Sequence, residues 1–225
     1  QGVYYPNLKR FYGSGGTVNW NRAGLSPKDV YAELKKYIID VSGSDYEADS
    51  VVFYNKQIFN QSLIGRLSEK LLANANIENA TYPRFSSYST NLEIKELVKD
   101  ASYKGGFSMH GSKMIGSGGK ARAATLTFSR GGKPFLVASA QSFVMRPDRI
   151  VSDNVSVTFH MDKDSIYHPG VEFKYINKER ELTLIRPSGK SSGTPYYSSY
   201  HDIDMYFDAL TWKIDDPLMD LKMIS

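Results

Sequence analysis

The chain contains no cysteine, and this absence excludes a broad set of chemistries. Thiol nucleophiles, thiolate metal sites, iron–sulfur clusters and disulfide bonds all require cysteine. Long hydrophobic runs are also missing. The charge-free stretch at residues 134–145 is about half of the ~20 apolar residues that a membrane-spanning helix needs. The sequence therefore predicts no transmembrane segment, and we expect no cofactor.

The composition is that of a folded chain. Its 225 residues are 41% hydrophobic and 23% charged, which differs from the composition of disordered proteins. This length is enough for one large domain or two modest ones with a core that needs no metal or disulfide.

Alternating apolar and polar residues predict strands, and tyrosine and phenylalanine are abundant in these runs. Residues 155–161 have apolar side chains at odd positions, and residues 171–175 alternate in the same way. Gly131 and Gly132 separate two further runs and predict a hairpin turn. We expect residues 104–225 to form an all-β antiparallel meander with one buried face.

The first 103 residues are ambiguous. Apolar spacing indicates helices at residues 26–41, 62–74 and 92–100, but many β-favouring residues in the first of these make a strand possible there. We predict a mixed part at residues 1–103 and an all-β part at residues 104–225, with a seam at residues 90–104. The expected fold is mainly β: an antiparallel meander forming an elongated β-sandwich or solenoid-like stack, with one to three short helices in the N-terminal half.

Both ends of the sequence suggest a segment of a longer chain. The first residue is Gln1 rather than methionine, and residues 217–224 alternate like a strand up to the last residues. We expect one continuous domain, or two parts, cut from a larger protein.

Charge is distributed unevenly along the chain. Residues 104–149 contain eight basic residues and one acid, whereas residues 200–225 contain six acids and two lysines. A basic face predicts an anionic partner, either an acidic glycan or an anionic lipid, and nucleic acid is disfavoured because no recognised binding motif is present. The alternative is that the two segments neutralise each other across a sheet. The candidate anion-binding residues are Lys104, Lys113, Lys120, Arg122, Arg130 and Lys133.

No catalytic motif is complete. The glycines at 116–119 precede Lys120 but lack the spacing of a phosphate-binding loop. If the chain is an enzyme acting on an acidic glycan, the candidate residues are His168, Tyr167 and Arg186. Otherwise His168 is a turn residue whose ring caps backbone groups. His160 and His168 face each other only if the loop between their strands has an odd number of residues.

Metal coordination is not expected. Asp202 and Asp204 could hold Ca²⁺ through one face of a strand, and Asp162 with Asp164 is a similar pair, but neither belongs to a complete ligand set.

Two clusters mix aromatic rings with small polar residues, a mixture that suits contact with sugars or protein partners. The alternative is that these rings lie at the rim of a β core. The candidate aromatic surface is Tyr196, Tyr197, Tyr200, Tyr82 and Phe85.

Several phrases occur together along most of the chain: Gly15-Gly16-Thr17-Val18-Asn19-Trp20, Ala48-Asp49-Ser50-Val51, Tyr82-Pro83-Arg84-Phe85, Lys104-Gly105-Gly106-Phe107, Asp164-Ser165-Ile166-Tyr167-His168-Pro169-Gly170 and Tyr200-His201. In these phrases the chain resembles very large β-rich envelope or exported proteins of Bacteroidota. Its alternation is also similar to that of lipopolysaccharide-transport (OstA-like) domains. The resemblance implies an elongated β protein of the cell envelope, either periplasmic or at the cell surface, or a secreted one. It supplies no catalytic residues.

The expected function is a non-catalytic, β-rich structural or binding module of a larger exported or cell-envelope protein, with other envelope proteins among its partners. The first alternative is a carbohydrate-active enzyme, or a fragment of one, that acts on an acidic glycan. The second is an anionic-lipid-binding β-groove that uses the basic stretch.

Overall fold

A computed structural model describes residues 1–71, 77–187 and 193–224. Within these ranges the chain is mainly β, its strands pair antiparallel, and no α-helix occurs. The helical segments described are single 3₁₀ turns at Pro6–Leu8, Asn21–Ala23 and Ile77–Asn79. The mainly β fold class is thus confirmed, whereas the elongated sandwich or solenoid-like stack stays a prediction. In the described part of the chain, no helix has the length and apolar character needed to cross a membrane.

The chain divides into two compact units. Unit 1 comprises Gln1–Thr90 and Gly106–Ile115, and unit 2 comprises Asn91–Gly105 and Gly116–Ser225. The chain first passes from unit 1 to unit 2 within the predicted seam at residues 90–104. It then returns to unit 1 for ten residues before it completes unit 2.

Unit 1 contains a small sheet and a larger one. The small sheet has the order β1-β2-β5, and the larger one runs β3-β4-β6-β7-β8 and continues to the end of β10. The strands are β1 Gly2–Tyr5, β2 Arg10–Ser14, β3 Thr17–Asn19, β4 Val30–Glu33, β5 Lys36–Asp40, β6 Asp45–Asn55, β7 Leu63–Lys70, β8 Arg84–Ser87 and β10 Ala101–His110, of which the last enters both units.

Unit 2 is a meander whose main ladder runs from β9 through the start of β10 to β12, β13, β15, β16, β17 and β20. β14 pairs with β15, β18 pairs with β16 and with β19, and β21 pairs with β20. The strands are β9 Leu92–Val98, β11 Lys113–Ser117 (shared with unit 1), β12 Ala124–Arg130, β13 Lys133–Ala140, β14 Ser142–Met145, β15 Arg149–Met161, β16 Asp164–Ile176, β17 Glu181–Ile185, β18 Tyr196–Ser198, β19 Ile203–Met205, β20 Ala209–Lys213 and β21 Asp220–Lys222.

The predicted helices are wrong. Residues 26–41 form one turn, closed by the Val30 amide donating to the Ser26 carbonyl (2.9 Å), and then strands β4 and β5. Residues 92–100 contain β9, and residues 62–71 contain β7; the rest of the predicted 62–74 helix lies outside the described residues. Leu63 and Leu67, four residues apart, fit a helical stripe and a strand face equally well. Ile64 distinguishes the two: a helix would place it on the same buried stripe, whereas the strand turns it to the opposite face, where it is exposed.

Aromatic rings fill both cores. In unit 1, Phe53 stacks on Phe85 with ring centroids 4.2 Å apart and meets Trp20 edge-on at 5.1 Å. In unit 2, Phe128 meets Tyr175 edge-on at 4.9 Å. Burial of such large apolar surfaces is the main favourable contribution to folding, and it fixes the register that sorts the remaining side chains between two faces.

Candidate functional site

The hairpin of β15 and β16 sorts the candidate residues of unit 2 between two faces. Its turn is the two-residue pair Asp162 and Lys163, and Asp162 has a φ of 53°, as such tight turns require. Across the ladder His160 pairs with Ser165, whereas His168 pairs with the buried Val157. Because the loop is even, the two histidines lie on opposite faces.

His168 is part of the core of unit 2. Its Nδ1 accepts a hydrogen bond from the Gly170 amide (3.1 Å), so in the neutral ring Nε2 carries the proton and donates to the Thr194 carbonyl (3.1 Å). The ring also packs on Tyr196, with centroids 4.6 Å apart. Burial lowers the pKa of His168, a nearby Arg186 charge acts in the same direction, and the bond to Thr194 opposes both. The ring thus caps backbone groups as the sequence indicated, but from a strand.

The three catalytic candidates do not converge. His168 and Arg186 share one acceptor, because Arg186 Nη1 also donates to the Thr194 carbonyl (3.3 Å). The other terminal nitrogen of Arg186, Nη2, forms an ion pair with Asp208 (2.8 Å). Tyr167 precedes His168 in the strand and points to the opposite, solvent-exposed face.

A groove of about 480 Å³ lies beside the His168 ring. Two carboxylates, Asp153 and Glu172, line it together with Thr194. Asp153 falls where the β15–β16 register shifts between Ser152 and Val155, and such bulges re-aim side chains. The groove thus brings two acidic side chains and a histidine to one lining.

Tyr167 belongs to an exposed row of side chains that crosses three strands. It pairs with Tyr197 of β18, and Tyr197 pairs with Asp204 of β19. Directly paired residues share a face of an antiparallel sheet, so the two rings are neighbours on one surface. Tyr167 is 40% exposed and Tyr197 is 41% exposed.

A second carboxylate completes this surface. The Tyr197 hydroxyl donates to Asp202 Oδ1 (2.9 Å), from the turn that precedes β19. That hydrogen bond, with the charges of Asp202 and Asp204, raises the pKa of Tyr197. We call Tyr167, Tyr197, Asp202 and Asp204 the tyrosine face.

The other aromatic candidates have different surroundings. Tyr196 and Phe85 are buried, and Tyr196 stacks on Phe207 at 4.2 Å. Tyr82 lies under two cations, Lys70 at 5.0 Å and Arg84 at 4.4 Å from its ring centre. Tyr200 is strongly exposed and meets His201 edge-on at 4.5 Å.

Tyr200 borders an apolar groove of about 610 Å³ at the tip of the hairpin, on the face opposite to Tyr167. Its lining includes Met161, Ile166, Ile203 and Met205. The volume is in the range of small-molecule pockets, although the sequence indicated no such cavity.

The six basic candidates have different surroundings. Lys113 belongs to unit 1, while the other five belong to unit 2. Lys104 pairs across the ladder with Glu93, and Arg130 packs on Phe135 (4.6 Å) and Trp212 (5.2 Å) while donating to the Ile214 carbonyl (2.7 Å). The remaining candidates, Lys120, Arg122 and Lys133, are exposed.

In the described ranges, no group of three or more carboxylate or imidazole side chains is placed to hold a metal ion. Asp202 and Asp204 therefore have no third ligand of this kind, and Asp202 already accepts the Tyr197 hydroxyl. Asp164 of the hairpin accepts the Ser199 hydroxyl (3.1 Å).

No family model, curated protein or solved structure matches this chain.

Proposed function

We propose that the chain is a non-catalytic, β-rich binding module of a larger exported or cell-envelope protein, and that an uncharged glycan binds on its tyrosine face. One observation carries the proposal: two half-exposed tyrosine rings are paired on adjacent strands beside two carboxylates.

The chemistry of this face suits a sugar. Tyrosine offers an apolar ring for the C–H faces of a pyranose and a hydroxyl for hydrogen bonding. Carboxylates accept hydrogen bonds from hydroxyl donors, and bonds to charged groups are the stronger kind. Because a tyrosine side chain has few rotatable bonds, holding it on a strand costs little further entropy on binding.

The charge of the face argues against the acidic glycan expected from the basic stretch. Asp202 and Asp204 would repel a uronate or sulfate group placed on the rings, because like charges in contact are unfavourable. An uncharged glycan avoids this repulsion and keeps both acceptors in use.

Isothermal titration with neutral oligosaccharides and with uronate oligosaccharides of matched length tests the proposal. We expect saturable binding of a neutral oligosaccharide that Tyr197→Ala weakens by about tenfold or more, as for an aromatic anchor at the centre of a site. The matched control is Tyr88→Ala, because Tyr88 is also exposed and donates its hydroxyl to a carboxylate, Asp49 (3.1 Å). Equal losses in both variants, or no saturable binding, would refute the proposal.

A second candidate is glycan hydrolysis in the groove beside His168, which Asp153 and Glu172 line. Glycosidases act with two carboxyl groups across a cleft. This reaction predicts product from a polysaccharide panel that Glu172→Gln abolishes. Tyrosine-face binding without product in that panel excludes it in favour of the binding module.

A further inference from the structure

The small sheet of unit 1 has one partly covered face, on which Phe11, Tyr37 and Ile39 are half-buried while Tyr4 remains 47% exposed. Its strands pair in register, with Gly2 opposite Gly13 and Tyr37, and Tyr4 opposite Phe11 and Ile39. Side chains of these rows share a face. The Phe11 ring occupies the space over Gly2, and the Tyr37 ring occupies the space over Gly13.

This covered face packs towards β6. The Tyr37 ring lies 5.9 Å from Tyr46 of β6 and 6.2 Å from Phe11. β5 and β6 are accordingly in contact. The absence of a side chain at Gly2 and Gly13 is what lets these rings lie flat on the sheet.

The opposite face is apolar and open. Val3 of β1, Tyr12 of β2 and Ile38 of β5 form one cross-strand row, and they are 56%, 36% and 47% exposed. Tyr5 lies on the same face and meets Tyr12 edge-on at 5.4 Å. Large apolar side chains exposed side by side mark an interaction surface rather than ordinary protein surface.

Cations flank this apolar row on both sides. Lys36 opposes Ser14 two rows before it, and Arg10 opposes Asp40 two rows beyond it, so both rows share its face. Lys9 and Lys35 adjoin the ends of these strands, and all four cations are exposed. Asp40 is the single carboxylate of the three strands. We call Val3, Tyr5, Arg10, Tyr12, Lys36 and Ile38 the open face.

We infer that the open face is a docking surface for an anionic lipid bilayer, separate from the tyrosine face and independent of the glycan proposal. Aliphatic side chains enter the boundary between headgroups and acyl chains, tyrosine remains at the headgroup level, and the cations contact anionic headgroups. Lys and Arg also keep their charge in water while their stems cover apolar surface.

The charges favour a lipid surface over a second copy of the chain. A two-fold dimer through this face would bring the same patch of two copies together. Four exposed cations against one carboxylate give this sheet a net positive charge, so both sides of such an interface would carry the same sign of charge, which is unfavourable. An anionic bilayer compensates all of these charges at once.

Co-sedimentation of the full chain with vesicles tests the inference. The vesicles are phosphatidylcholine alone or phosphatidylcholine with about one-third phosphatidylserine, at about 0.1 M and about 1 M salt. We expect binding to the anionic vesicles that decreases strongly at high salt. Lys36→Ala should reduce partitioning about fivefold, the value of one cation near such a surface, and Ile38→Asp should reduce it further because it removes apolar contact and adds a carboxylate.

Two matched variants control for general effects of substitution. Ile64→Asp changes an exposed isoleucine of β7 in the same unit, and Lys174→Ala removes an exposed lysine of β16. Both should bind vesicles like the unchanged chain. Equal losses in the control and test variants, or no preference for anionic vesicles, would overturn the inference. So would concentration-dependent self-association that Ile38→Asp abolishes, measured by sedimentation velocity without lipid.

Discussion

The tyrosine face of unit 2 and the open face of unit 1 have the same construction and opposite charge. Each is a row of paired side chains across three antiparallel strands, with tyrosine in it and solvent above it. The first row ends in Asp204 and has Asp202 beside it, whereas Lys36 and Arg10 flank the second. The sheet provides rigid placement in both, so the flanking charges decide between a sugar and a lipid headgroup.

The largest expected effect comes from removing both rings of the tyrosine face. Tyr167→Ala combined with Tyr197→Ala should reduce affinity for a neutral oligosaccharide by about a hundredfold, because each ring is worth about tenfold as a binding anchor. Calorimetric titration measures this loss. Vesicle partitioning of the same variant should not change, and a parallel loss there would break the distinction between the two faces.

Reversing charge on the tyrosine face should change its preference. Asp202→Asn combined with Asp204→Lys leaves both rings in place, and asparagine tolerates the φ of 52° at position 202. We expect the ratio of uronate to neutral oligosaccharide affinity to rise about tenfold, as for a charge brought within a few ångströms. The control is Asp49→Asn with Glu47→Lys on β6, for which a similar rise would contradict the role assigned to Asp202 and Asp204.

The buried His168 and the half-buried His110 give a smaller effect, on stability rather than binding. Burial lowers the pKa of His168 in unit 2 and of His110 in unit 1, and Arg84 and Lys113 lower the latter further. The unfolded chain therefore binds more protons than the folded one below pH about 6.5. The contribution of the two neutral histidines to the free energy of unfolding is therefore fully present above pH about 6.5. It is lost as the pH falls towards the lower pKa values that these histidines have in the folded protein.

Denaturant unfolding at pH about 7 and about 5 measures this dependence, because the ordinary carboxyl groups titrate mostly below that window. His168→Gln and His110→Gln should each show a smaller decrease in unfolding free energy than the unchanged chain. A decrease of unchanged size in His168→Gln would mean that the Gly170 and Thr194 contacts do not hold the ring neutral.

Strand content could be predicted from sequence where one face is buried. Val155, Val157 and Phe159 are buried and His160 is exposed, as the alternation of this run indicates. Gly131 and Gly132 form the predicted tight turn, with φ of 58° and 78°. The N-terminal helices failed because spacings of four residues fit both periodicities, and tertiary packing then selected strands.

The positions of the site residues depend on which residues pair across neighbouring strands, and this register cannot be read from the sequence alone. Tyr167 and His168 are consecutive, so a single pairing decides which faces solvent, and the same holds for Tyr196 and Tyr197. Arg130 looked like a free cation but covers Trp212. The open face was missed because Val3, Tyr12 and Ile38 are far apart in sequence and meet only through strand pairing.

Mapping of amide chemical shifts during titration with a neutral oligosaccharide shows which surface of the protein binds sugar. We expect saturable shifts concentrated at Tyr167, Tyr197 and Asp204, with no change along Val3, Tyr12 and Ile38. Shifts concentrated instead at Glu172, His168 and Thr194, or spread equally over both faces, would contradict the glycan proposal.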